Sequence, residues 1–83
     1  MTHTRAQISL ETGKDVSQFI QELNSYDSDG KWMLENFDGT YRVNARSFLG
    51  VMYASVEWNG EIYLYKADAE NFEFPAFIDK YRV

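Results

Sequence analysis

The stretch Arg42-Val43-Asn44-Ala45-Arg46-Ser47-Phe48-Leu49-Gly50-Val51-Met52-Tyr53-Ala54-Ser55 decides how the chain is read. It has the pattern of a β-strand running into a short helix. Val43 stands in a β-favouring run after an Asp38-Gly39 turn. Ser47 offers a short side-chain oxygen that can accept a bond from an unpaired N–H of the following turn, which makes it the expected N-cap. Phe48, Leu49, Val51 and Met52 then place apolar groups at i, i+1, i+3 and i+4. A helix expected to run from Ser47 to about Ser55 cannot hide all of these against one neighbour, so some are expected to face solvent or a partner.

The run Val43-Asn44-Ala45-Arg46-Ser47-Phe48-Leu49-Gly50-Val51-Met52 resembles the regulatory-serine segment of the HPr family, the histidine-containing phosphocarriers of the bacterial sugar phosphotransferase system. The resemblance spans roughly residues 6 to 81. It implies that Ser47 is a phosphorylation candidate capping a short helix. It also implies that Phe48, Leu49 and Met52 form a docking patch for protein partners; Arg46 beside them is placed either to pair with a partner carboxylate or to stand solvated. Tyr53 and Ser55 depart from the pattern, standing where the family tends to have small residues, and a bulky Tyr53 bears on which partners fit.

Outward from this stretch, the elements follow from periodicity. Ala6 to Thr12 alternates, with Ile8 and Leu10 on one face, and is expected to be a half-buried strand that Gly13 ends. Asp15 and Gln18 match a capping box, and Val16, Phe19, Ile20 and Leu23 recur at helical spacing, which predicts a helix from about 15 to 25. Lys31 to Phe37 is a second strand, with Trp32 and Leu34 on one face and Met33, Glu35 and Phe37 on the other. Asp38-Gly39 signals a type I′ hairpin turn. Thr40 to Asn44 returns with Tyr41 and Val43 inward. Asn59-Gly60 marks a further turn, and Glu61 to Ala67 alternates Ile62 and Leu64 with Tyr63 and Tyr65. Phe74, Phe77, Ile78 and Tyr81 share one helical stripe, with Pro75 near its first turn.

The order is β-α-β-β-α-β-α, an α+β chain whose sheet is covered by helices on one face. The resemblance adds an HPr-like two-layer open-faced sandwich with an antiparallel sheet in the order 1-4-2-3. Residues 1–83 form one domain, with 1–5 expected to be frayed.

Composition narrows the function classes. The chain has 83 residues, no cysteine and a formal charge of −5. Without cysteine there is no disulfide or thiolate chemistry, and scattered carboxylates with a single histidine predict no metal site and no cofactor. An acidic surface repels phosphate backbones, which sets nucleic acid aside and favours basic protein surfaces. No apolar run approaches a membrane span, and Met1 to Gln7 lack the hydrophobic segment of a signal peptide, so a cytoplasmic location is expected. Aromatics at 17% are too many to be buried completely in so small a domain. Met33, Tyr63 and Tyr65, with Phe37, are expected to share the open sheet face, either as a self-association surface that would make a homodimer or a partner surface, or as ordinary cross-strand packing of tyrosines.

A phosphocarrier of the resembled family carries its phosphate on a histidine at the start of the first helix, where N–H donors and the helix dipole favour an anion. Here that segment, Gly13-Lys14-Asp15-Val16-Ser17-Gln18-Phe19, has no histidine and no arginine, and between Gly13 and Tyr26 the chain runs about three residues shorter than the family. Asp15 would oppose a phosphate by like charge. His3, the single histidine, lies in the lead-in. The chain is therefore expected to be no enzyme and no histidine phosphocarrier, but a regulatory or protein-interaction module related to the phosphotransferase system. Its expected partners are phosphotransferase or regulatory proteins and a serine kinase. The alternatives are a phosphocarrier with an unconventional acceptor, at His3 or Asp15, and a diverged structural or binding domain.

Overall fold

A computed structural model describes residues 4–83 of the protein. Four strands, β1 (Ala6–Ile8), β2 (Trp32–Glu35), β3 (Arg42–Asn44) and β4 (Ile62–Lys66), form an antiparallel sheet in the order β1-β4-β2-β3. Two helices, α1 (Gly13–Tyr26) and α2 (Phe48–Glu57), alternate with them, and a 3-10 helix (Ala76–Lys80) follows β4. No helix among the described residues is long and apolar enough to cross a membrane.

The period-two alternation sorts the sheet as expected. Leu34 pairs with Leu64 and Ile8 with Ile62, and all four are buried with Trp32 in one core. Val16, Phe19 and Leu23 of α1, Val51 and Ala54 of α2, and Ile78 close that core from the other layer. Met33, Tyr63 and Tyr65 occupy the alternate register positions, on the outer face.

Several local expectations give way to longer-range bonds. The first strand stops at Ile8, not Thr12, and Gly13 opens α1 instead of ending a strand. The cap of α1 is Thr12, not Asp15. Thr12 Oγ1 accepts from Asp15 N–H at 3.1 Å, and the Asp15 carboxylate reaches back to accept from Thr12 N–H at 3.2 Å. Asp15 thus plays the third-position part in the box that Gln18 was expected to play.

The hairpin between β2 and β3 is not type I′, because only Gly39 of the Asp38-Gly39 pair has positive φ, at 75°. Asn36 bridges a wider loop instead: its Oδ1 accepts from Tyr41 N–H at 3.1 Å and its Nδ2 donates to Thr40 Oγ1 at 3.1 Å. Tyr41 is thrown outward by that loop, 65% exposed, where an inward position was expected. The type I′ requirement is met at Asn59-Gly60, with φ of 51° and 82°, closed by Glu61 N–H to Trp58 O at 2.9 Å.

The last segment buries the expected residues in a different helix. Ile78 and Tyr81 are buried and Phe74 and Phe77 pack against the core. Its bonds are i→i+3, Ile78 N–H to Pro75 O and Tyr81 N–H to Ile78 O, which is the 3-10 pattern. The chain then pairs with the free edge of β1: Ser9 N–H donates to Tyr81 O at 2.7 Å and Val83 N–H to Gln7 O at 3.2 Å. That edge is thereby covered. Arg5, expected in a frayed lead-in, is anchored. Its guanidinium donates to Glu35 Oε2 at 2.8 Å and to Phe37 O at 2.9 Å.

Candidate docking surface on the second helix

The cap expected at the start of α2 forms. Ser47 Oγ accepts from Gly50 N–H at 3.2 Å, and Ser47 O accepts from Val51 N–H at 2.9 Å. Ser47 itself is exposed. Its local cause is the Asn44-Ala45-Arg46 corner: Asn44 Oδ1 accepts from Arg46 N–H at 2.9 Å and Asn44 O from Ser47 N–H at 3.0 Å. These bonds turn the chain sharply from β3 into α2.

From there α2 presents two unlike sides. Val51 and Ala54 are fully buried. Phe48 is 45% exposed, Leu49 80%, Tyr53 53% and Val56 69%, while Met52 is half-buried against the core. Leu49, Tyr53 and Val56 stand at i, i+4 and i+7, so they form one outward stripe flanked by Phe48 and Met52. Glu57 is the only charged residue in the helix. Val56 was not singled out from the sequence, although its spacing from Leu49 and Tyr53 is legible there.

Arg46 lies beside the patch but is engaged within the molecule. Its Nη1 donates to Asn24 Oδ1 at 2.6 Å, and its Nη2 donates to Gly30 O at 2.7 Å and to Asp27 O. It ties the C-terminal end of α1 and the following loop to the β3–α2 corner. The residue before Ser47 is thereby held beside the C-terminal end of α1. The first turn of α1 lies at the opposite end of that 14-residue helix.

That first turn holds Asp15, whose carboxylate is taken up by Glu11 N–H at 3.0 Å and Thr12 N–H. His3, the other alternative acceptor, lies outside the described residues. Among the described residues no group of three or more His, Cys, Asp or Glu side chains is arranged to hold a metal ion.

The outer sheet face is more polar than its alternation implies. Tyr65 is buried and Tyr63 half-buried, with the Arg5 guanidinium 4.0 Å from the Tyr63 ring centre. Burial raises the Tyr65 phenol above its usual range, and Arg42 partly offsets this. Glu35 is 1% exposed there, between Arg5 at 2.8 Å and Arg42 at 3.7 Å. Phe37 supplies the exposed apolar ring of this face, 6.2 Å from Tyr63.

Set against models of known families, curated proteins and solved structures, the chain matches none.

Proposed function

We propose that the protein is an HPr-like regulatory or protein-interaction module related to the bacterial sugar phosphotransferase system, which docks partners through α2 and is controlled by phosphorylation of Ser47. The observation that carries this reading is an exposed serine capping a helix whose outward side bears Phe48, Leu49, Tyr53 and Val56. The sheet order β1-β4-β2-β3 supports it, being the order that the resemblance of residues 43 to 52 implied. A phosphate on Ser47 would bring about −1.5 to −2 charge to the positive end of α2, so folding tolerates it and the docking surface changes.

Histidine phosphocarrier chemistry is not part of the proposal. The first turn of α1 is closed by its own capping box and offers an incoming phosphate a carboxylate instead of an imidazole.

The test is intact-mass analysis after incubation with ATP and an HPr serine kinase. One phosphate is expected on the wild type and none on Ser47→Ala. Absence of phosphate, where a known HPr is modified, sinks the switch. A parallel incubation with phosphoenolpyruvate and the first enzyme of the phosphotransferase system is expected to leave the chain unlabelled; label would restore the carrier reading.

A further inference from the structure

We infer that a cleft at the β2–β3 side of the outer sheet face binds a small organic anion, a phosphate monoester with a flat apolar body. The cleft has a volume of about 360 Å³ and is lined by Lys31, Met33, Arg42, Asn44, Arg46 and Tyr65, among others. That volume is within the range of small-molecule sites, about 300–1,000 Å³.

Charge is what sets it apart. The whole chain carries −5, yet three of its eight Lys and Arg residues line this one cleft and no carboxylate does. Those three charges are poorly compensated. Arg46 donates only to neutral oxygens, the Asn24 amide and the Asp27 and Gly30 carbonyls, so it is held rigidly while keeping its full charge. Lys31 is exposed and forms no ion pair among the described residues. Arg42 shares Glu35 with Arg5, and Arg5 holds the closer position, 2.8 Å against 3.7 Å.

The other nearby carboxylate, Asp27, is committed to Trp32 Nε1 at 3.0 Å, Gly30 N–H at 2.9 Å and Lys66 Nζ at 3.5 Å. Asn44 adds donors: its Oδ1 is taken by Arg46 N–H, which leaves its NH2 group without a partner among the described residues. The adjoining cleft shares Arg42, Tyr65 and Ala67 but also carries Asp68 and Glu70, so the purely cationic lining is confined to the Lys31 side.

A dianionic headgroup suits a cluster of two or three cations better than a single carboxylate does. Met33 and Tyr65, neighbours in register on β2 and β4, supply the apolar wall for a flat body. This inference is independent of docking through α2, because the cleft contains no residue of that helix.

The test is titration of the full chain with phenyl phosphate, followed by amide NMR shifts, with inorganic phosphate and phenol as separate arms. Saturating shifts centred on Lys31, Met33, Asn44 and Ala67 are expected, with phenyl phosphate about tenfold tighter than either fragment. Lys31→Gln, an exposed change, is expected to weaken binding about fivefold, the upper end for an exposed ion pair. Lys31→Glu should abolish it, and Arg42→Gln should weaken it where that variant folds. Shifts that never saturate and spread over the whole surface overturn the inference. So does saturable binding that survives Lys31→Glu.

Discussion

Asp27 shows how one side chain can fix a corner of the fold. It accepts from Trp32 Nε1, from Gly30 N–H and from Asp29 N–H, and it faces Lys66. These bonds favour the charged carboxylate, Trp32 foremost, and hold its pKa at about 2 against an ordinary 3.8. The folded state therefore binds fewer protons than the unfolded state between those values. The stabilisation is complete above about pH 4 and is lost as pH falls through about 2. Asp27→Asn is expected to melt lower than wild type at neutral pH, with the gap closing as pH is taken from about 5 to about 2. Melting temperatures across that range check it; a gap independent of pH would assign the effect to shape alone. Ser47→Ala removes the α2 cap and is expected to lower stability by about 1 kcal/mol, measured by urea unfolding.

At the scale of the element, α2 has a buried side and an exposed side. Val51 and Ala54 are wholly buried, whereas Leu49 and Val56 stand largely in solvent. Leu49→Glu with Val56→Glu should change unfolding free energy by about 1 kcal/mol or less, as exposed substitutions do. The same pair should abolish capture of any partner that docks through α2. Val51→Ala, by contrast, leaves a hole in the core and should cost about 1–3 kcal/mol while leaving the outward stripe chemically intact. Denaturant midpoints and a binding assay on the same three proteins separate the two sides. Equal destabilisation by both changes would mean that the outward stripe is part of the core. The same contrast explains what could be read in advance. Amphipathic spacing gives burial directly, so Phe19, Leu23, Trp32, Leu34, Ile62 and Leu64 were legible inside. It does not report which i→i+3 or i→i+4 bond a short C-terminal helix will choose. There the chain takes the i→i+3 bonds of Ile78 to Pro75 and Tyr81 to Ile78, and its next residues pair with β1.

The whole molecule closes at its C-terminal segment. Tyr81 meets Phe19 edge-on at 5.7 Å between ring centres, and its O–H donates to Glu22 Oε1 at 2.8 Å. Lys80 reaches the other oxygen of Glu22 at 2.6 Å, which keeps that carboxyl below its usual range. Ile78 is fully buried beneath this lid. Ile78→Ala is expected to cost about 2–5 kcal/mol, a large part of the roughly 5–15 kcal/mol that holds a domain folded. Calorimetry should show one broad loss of stability across sheet and helices together. Loss confined to the last segment would mean that it docks on an already stable body.

The sequence by itself determined the element order, the inward residues of β1, β2, β4 and α1, and the Ser47 cap. Each of these rests on contacts within a few residues or on a period of two or 3.6. Only the tertiary structure decided the rest. Arg46 was read as a charge facing a partner or solvent, yet its acceptors lie 16 to 22 residues away, and two of them are backbone carbonyls that no side-chain pattern announces. Glu35 was read as one residue of an open face, yet Arg5 and Arg42 arrive from opposite directions to bury it. The cationic cleft has the same origin. Lys31, Arg42 and Arg46 are dispersed in an acidic sequence, and the turn from β3 into α2, set against the start of β2, gathers their charge in one place.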